Sequence, residues 1–94
     1  MMGSGERRMI ESYERLLRRF IDGEITPDQF ENDYLTAFKS DQNQALGASF
    51  DILDELFADV DAYVADPRLR GLTGGLSGDE MRVRARSAYI RLFG

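Results

Sequence analysis

The 94-residue chain has no cysteine and no histidine. Without cysteine there is no disulfide framework, no cysteine-based zinc site and no thiol nucleophile. Without histidine as well, the commonest metal ligand and the commonest general base near neutral pH are gone, which excludes most hydrolase designs. Long apolar runs are also missing. No stretch approaches the roughly 20 apolar residues of a membrane-spanning helix, and the start Met1-Met2-Gly3-Ser4-Gly5-Glu6-Arg7-Arg8 lacks the apolar core of a signal peptide. The expectation is a cytoplasmic protein with no membrane partner. A further scarcity is local. Between Ser40 and Pro67 stand seven acidic residues and neither lysine nor arginine, so those carboxylates have no basic neighbours in sequence.

What is present suits one small domain, residues 6–94, with residues 1–5 set apart as a flexible lead. Six phenylalanines and four tyrosines supply the bulk that a core of this size needs. The net charge of -5 opposes nucleic-acid binding through a broad basic surface and favours a basic partner.

Met9, Tyr13, Leu16, Leu17, Phe20 and Ile21 recur at helical spacing and predict a first helix over about Glu6 to Asp22, stopped by Gly23. Its other side offers Glu11 to Arg15, Glu14 to Arg18 and Arg18 to Asp22 as i, i+4 pairs, the mark of a self-neutralised solvated face. Thr26, Pro27, Asp28 and Gln29 make a full helix start, with Ile25 and Phe30 as a hydrophobic staple, and predict a second helix over Pro27 to Lys39 in an antiparallel hairpin with the first.

A third helix follows the polar break Asp41-Gln42-Asn43-Gln44, carries Gly47 in its first turn, and ends at Asp66-Pro67. The segment Arg68 to Gly78, rich in glycine, reads as a flexible connector and matches no phosphate-binding loop. Ser77-Gly78-Asp79-Glu80 then opens a last helix whose apolar face is Met81, Ala85, Ala88, Tyr89, Leu92 and Phe93, flanked by Arg82, Arg84, Arg86 and Arg91.

The fold class implied is all-α, an antiparallel four-helix bundle. Leu16, Leu17, Phe20, Phe30, Tyr34, Phe38, Leu53, Phe57, Val60, Tyr89 and Leu92 are the expected core, with Phe57→Ala costing about 3–5 kcal/mol.

The third helix carries both the strongest apolar stripe and the strongest charge. Phe50, Leu53, Phe57, Val60 and Val64 share one face; Asp51, Glu55 and Asp59 project from the other; Asp54 and Asp61 stand at the margin. Pairing of these acids with Arg82 or Arg86 of the last helix is the plain structural alternative. Paired carboxylates could in principle hold a divalent cation or act as acid and base, but bundle metal sites need inward Glu and Glu-x-x-His motifs from several helices, and a small bundle offers no cleft for carboxylate catalysis. The expectation is no enzyme, no cofactor and no metal.

The block Phe20-Ile21-Asp22-Gly23-Glu24-Ile25-Thr26-Pro27-Asp28-Gln29-Phe30-Glu31-Asn32-Asp33-Tyr34-Leu35, followed by Phe50-Asp51-Ile52-Leu53-Asp54-Glu55-Leu56-Phe57-Ala58-Asp59-Val60-Asp61-Ala62-Tyr63, resembles the colicin-D-type immunity proteins, of the family of bacterial self-protective colicin-like immunity domains. The resemblance runs from the first helix to Asp66; the glycine-rich segment and the arginine-rich last helix depart from it. It implies a four-helix bundle that binds and blocks the nuclease domain of a toxin, in the type member one that cuts a transfer RNA anticodon loop, by seating an acidic surface in the basic RNA site.

The partner-binding candidates are then Asp51, Asp54, Glu55, Asp59, Asp61 and Asp66, and the partner a basic nuclease domain. Two other readings stand beside it. One is an adaptor or dimerisation bundle using exposed aromatics such as Tyr34, Phe38 and Tyr63, the oligomeric state being open. The other is direct nucleic-acid binding through Arg15, Arg18, Arg19, Arg82, Arg84 and Arg86, which the net charge opposes.

Overall fold

Five helices follow one another in the computed structural model, which describes residues 4–94: α1 (Ser4–Ile21), α2 (Pro27–Lys39), α3 (Ala48–Asp61), α4 (Pro67–Thr73) and α5 (Gly78–Phe93). Of the residues set apart as a lead, residues 1–3 lie outside those described, and Ser4 and Gly5 already belong to α1. The all-α class holds, and the bundle is formed by α1, α2, α3 and α5. Each packs on the next, α5 closes against α1, and α2 also touches α5 across the middle.

The helix ends follow from local chemistry where the local chemistry is complete. Gly23 and Glu24 donate backbone N–H groups to the carbonyls of Phe20 (3.1 Å) and Arg19 (2.8 Å), closing α1. Thr26 Oγ1 accepts from the Gln29 N–H at 3.1 Å with Pro27 in the first turn, while Ile25 and Phe30 are both buried. At α5 the capping box is reciprocal, Glu80 N–H to Ser77 Oγ at 3.1 Å and Ser77 N–H to Glu80 Oε1 at 3.3 Å.

The region of α3 and α4 departs from the sequence expectation. Gly47 is the N-cap of α3 and not part of its first turn, and the helix ends at Asp61, well before the proline. It ends there because the chain leaves it to pair with a distant segment: Val64 N–H donates to the Leu76 carbonyl (3.0 Å) and Leu76 N–H to the Ala62 carbonyl (2.9 Å). Gly75 makes this approach possible. A Cβ there would lie 2.7 Å from the Ala62 carbonyl oxygen and would collide with Val64 Cγ2.

The glycine-rich segment is therefore no plain flexible connector but holds a fifth helix. Asp66 caps α4 by accepting from the Arg68 N–H at 2.9 Å, Pro67 is its first residue, and Gly74, at φ +72°, ends it with an N–H to the Arg70 carbonyl at 2.8 Å. None of the residues of α4 is buried.

Met9, Tyr13, Leu17, Phe20, Phe30, Tyr34, Leu53, Leu56, Val60, Met81 and Ala85 are closed to solvent in one core. Leu16, Phe38, Phe57 and Tyr89, expected inside, are half-buried and pack on its edge. Since α3 contacts both α2 and α5, the direction between those two helices sets its inner face, which takes Ser49, Leu53, Leu56 and Val60 and turns Phe57 toward the margin. Buried polar groups are paired: Tyr34 Oη donates to the Leu53 carbonyl at 2.7 Å and Tyr13 Oη to Asp41 at 2.7 Å. Ser49 Oγ donates to the Glu6 carboxylate, tying the start of α3 to that of α1.

Candidate functional site

An α-helix turns by about 100° per residue, so the position of each carboxylate on α3 is set once the inner face is known. Asp51 points outward and is exposed. Asp54 and Asp61, also exposed, stand on the margin next to Phe50 and Phe57, the two rings that meet Phe38 of α2 at centroid distances of 6.0 and 4.7 Å. Glu55 and Asp59 stand on the opposite margin. They share a narrow groove with Arg84, Ser87 and Arg91 of α5, and Arg91 Nη1 donates to Glu55 Oε2 at 2.7 Å.

Asp66 lies beyond α3. Its carboxylate serves the start of α4 and lies 3.8 Å from Arg68 Nε. The six candidates thus divide between two grooves, an outer ridge and a cap. Among the described residues Asp51, Asp54, Asp59 and Asp61 form no ion pair.

The pairing across the α3–α5 groove is made by Arg91, not by Arg82 or Arg86. Arg82 is occupied at the end of α1: its Nε donates to the Phe20 carbonyl at 3.2 Å, its guanidinium carbon lies 4.9 Å from the centre of the Phe20 ring, and Nη1 is 3.5 Å from Asp79. Arg15, Arg18 and Arg19 of α1 share one shallow hollow with Glu11 and Glu14 of the same helix and with Asp22 and Glu24 just beyond its end, yet none of the expected i, i+4 pairs forms an ion pair. Arg84 opens onto a different groove from these three. Of the aromatics suggested as an exposed cluster, Tyr34 is wholly buried and Phe38 and Tyr63 are half-buried.

The sequence reading missed the contribution of α2. Tyr63 Oη donates to Asp28 Oδ1 at 2.6 Å, and its hydroxyl is pushed up to about 12 by burial, by that hydrogen bond and by the fields of Asp28 and Glu31, with Arg70 acting in the opposite sense. The Glu31 carboxyl is held above its ordinary value by partial burial, then by Asp28, then by Asp61. The spacing of Asp28 and Glu31 places both on one side of α2, a signal available in the sequence. Their approach to Asp61 and Tyr63 was not.

Because its folded value is raised, Glu31 contributes stability that is present below its unfolded carboxyl range and lost as pH rises through the folded value. At pH 7 the carboxylates of this region oppose one another. Asp54→Asn combined with Asp61→Asn should therefore leave the melting temperature at pH 7 equal to or above that of the parent. A marked fall would show that these two acids hold the fold together.

No helix among the described residues is long and apolar enough to cross a membrane, and no cluster of three or more Asp or Glu side chains among them could hold a metal ion. The family model described as bacterial self-protective colicin-like immunity matches residues 9–92, which takes in the glycine-rich segment and nearly all of α5. No curated protein and no solved structure gives a significant match.

Proposed function

Since the chain belongs to the family of bacterial self-protective colicin-like immunity proteins, we propose that it binds the nuclease domain of one cognate toxin and bars RNA from the cleavage site with the carboxylates of α3. Membership gives an immunity protein whose partner is a toxin. The observation that carries it is the row of exposed Asp51, Asp54 and Asp61 on a helix that contains no lysine or arginine and forms its one cross-helix ion pair, among the described residues, elsewhere, at Glu55.

A site that cleaves RNA holds phosphates with cations. Carboxylates fixed along a packed helix can occupy those cations, speed the encounter and exclude the substrate, with no catalysis by the inhibitor. Asp51, Asp54, Glu55, Asp59 and Asp61 fill this role, while Asp66 is engaged at its cap. The complex forms in the cytoplasm, where the RNA is.

The test is to titrate the purified protein into the nuclease domain of its cognate toxin and to follow both binding and RNA cleavage. A one-to-one complex without cleavage is expected, and its association rate should fall as salt rises, since screening acts over about 10 Å at 0.1 M. A toxin domain that cleaves at its full rate in the presence of excess protein would overturn the proposal.

A further inference from the structure

The two grooves that flank α3 differ in kind. On the α5 side the acids are answered, Glu55 by Arg91 directly and Asp59 by the company of Arg84 and Arg91 in the same groove. On the α2 side no carboxylate forms an ion pair among the described residues, the nearby Arg70 is felt at the Tyr63 hydroxyl, and the floor is aromatic. Phe38 stacks on Phe57 at 4.7 Å and meets Phe50 at 6.0 Å, all three rings half-buried, so that ring surface reaches solvent along the seam between α2 and α3. Leu35 adds apolar surface, and the half-buried Tyr63 lies at the end where Asp28 and Glu31 are found. Asp54 and Asp61 edge the seam from α3, Asp28 and Glu31 from α2, and the field of Asp61 is felt at Glu31 across it.

We propose that this α2–α3 seam is where a basic segment of the toxin docks, and that arginine side chains of that segment lie along it. The assignment rests on the toxin-binding reading above and deepens it. A guanidinium is flat, weakly hydrated and always charged. It stacks on an aromatic face while its edge donates paired hydrogen bonds to a carboxylate, which lysine cannot do. The seam offers both halves of that recognition along one line: rings below, carboxylates on either rim. A partly apolar floor with a charged rim is also the anatomy in which a few aromatic and arginine contacts carry most of the binding energy.

The assignment gives a use to the placing of Glu31 within the fields of both Asp28 and Asp61 in the free protein. A cation seated between them reverses the sign of that interaction.

The experiment measures the affinity of the toxin nuclease domain for the parent and for Glu31→Lys, Phe38→Leu and Glu11→Lys, each confirmed to melt cooperatively with an unchanged helical spectrum. Glu31→Lys should weaken binding about a hundredfold, because a reversed charge meets a like charge in a desolvated contact. Phe38→Leu keeps the apolar bulk and removes the ring, and should weaken binding about tenfold. Glu11→Lys, on the far face of α1, should bind like the parent. Parent-like binding by both Glu31→Lys and Phe38→Leu, with binding lost when Asp51, Glu55 and Asp59, the α3 carboxylates outside the seam, are reversed, would overturn the seam and leave the toxin-binding reading standing. A parent that does not bind the toxin domain would overturn both. A parent that elutes as a dimer and is dissociated by Glu31→Lys would give the seam to a second copy of the chain and would also overturn the proposal.

Discussion

Phe30→Ala is expected to lower the stability of the protein by about 3–5 kcal/mol, a large part of the total available to a domain of this size. The ring is closed to solvent, stacked on Phe20 with centroids 4.2 Å apart and planes 9° from parallel, and tilted against Tyr34 at 5.6 Å. Its loss opens a cavity where α1 and α2 meet, bordered by other rigid rings that cannot collapse into it, and it also removes the inner half of the staple with Ile25. The measurement is urea unfolding, read as a fall in the midpoint at constant slope. Phe57→Ala, for which the apolar spacing alone gives the same cost, should cost clearly less because that ring is half-buried at the α2–α3 edge. The reverse order would show that the inner face of α3 is misplaced.

Replacing Asp54, Glu55, Asp59 and Asp61 together by lysine should abolish protection of cells that express the toxin. The substitution turns a net charge of -5 positive and places cations where a basic site would meet them. The helical spectrum should survive, since none of the four is buried, and the one ion pair lost, Glu55 with Arg91, is exposed on both sides and of little weight for folding. Some loss of stability is expected because the lysines that replace Glu55 and Asp59 would face Arg84 and Arg91, which is why the fold must be verified before protection is scored. Full protection by a folded variant would remove α3 as the inhibitory surface.

Much of the architecture was legible before any coordinates. The bounds of α2 were, because Thr26, Pro27 and the polar break after Lys39 act within a single turn. So was the start of α5, where Ser77 and Glu80 satisfy each other's backbone. The fifth helix was half-written: Asp66, Pro67 and Gly74 are a cap, a first-turn proline and a left-handed stop in the proper order. The glycine content of the segment outweighed them. Resemblance pointed to the family from α1 to Asp66, and the family match carries that membership through α5.

The end of α3 was out of reach, because the pairing of Ala62 and Val64 with Leu76 joins segments that are distant in sequence. The site was legible as a composition and not as a place. That acids without local counter-ions gather between Ser40 and Pro67 is a property of the sequence alone, since it depends only on which residues lie within a few turns of one another. Which of them acquire an arginine and which are left beside half-buried rings was decided by tertiary packing. The helical period fixes the angles between Asp54, Glu55, Asp59 and Asp61, but those angles gain a meaning only when α2 stands on one side of α3 and α5 on the other. Capping and periodicity are short-range and written in the chain; the neighbours of a helix are set by how all the apolar stripes close on one core at once.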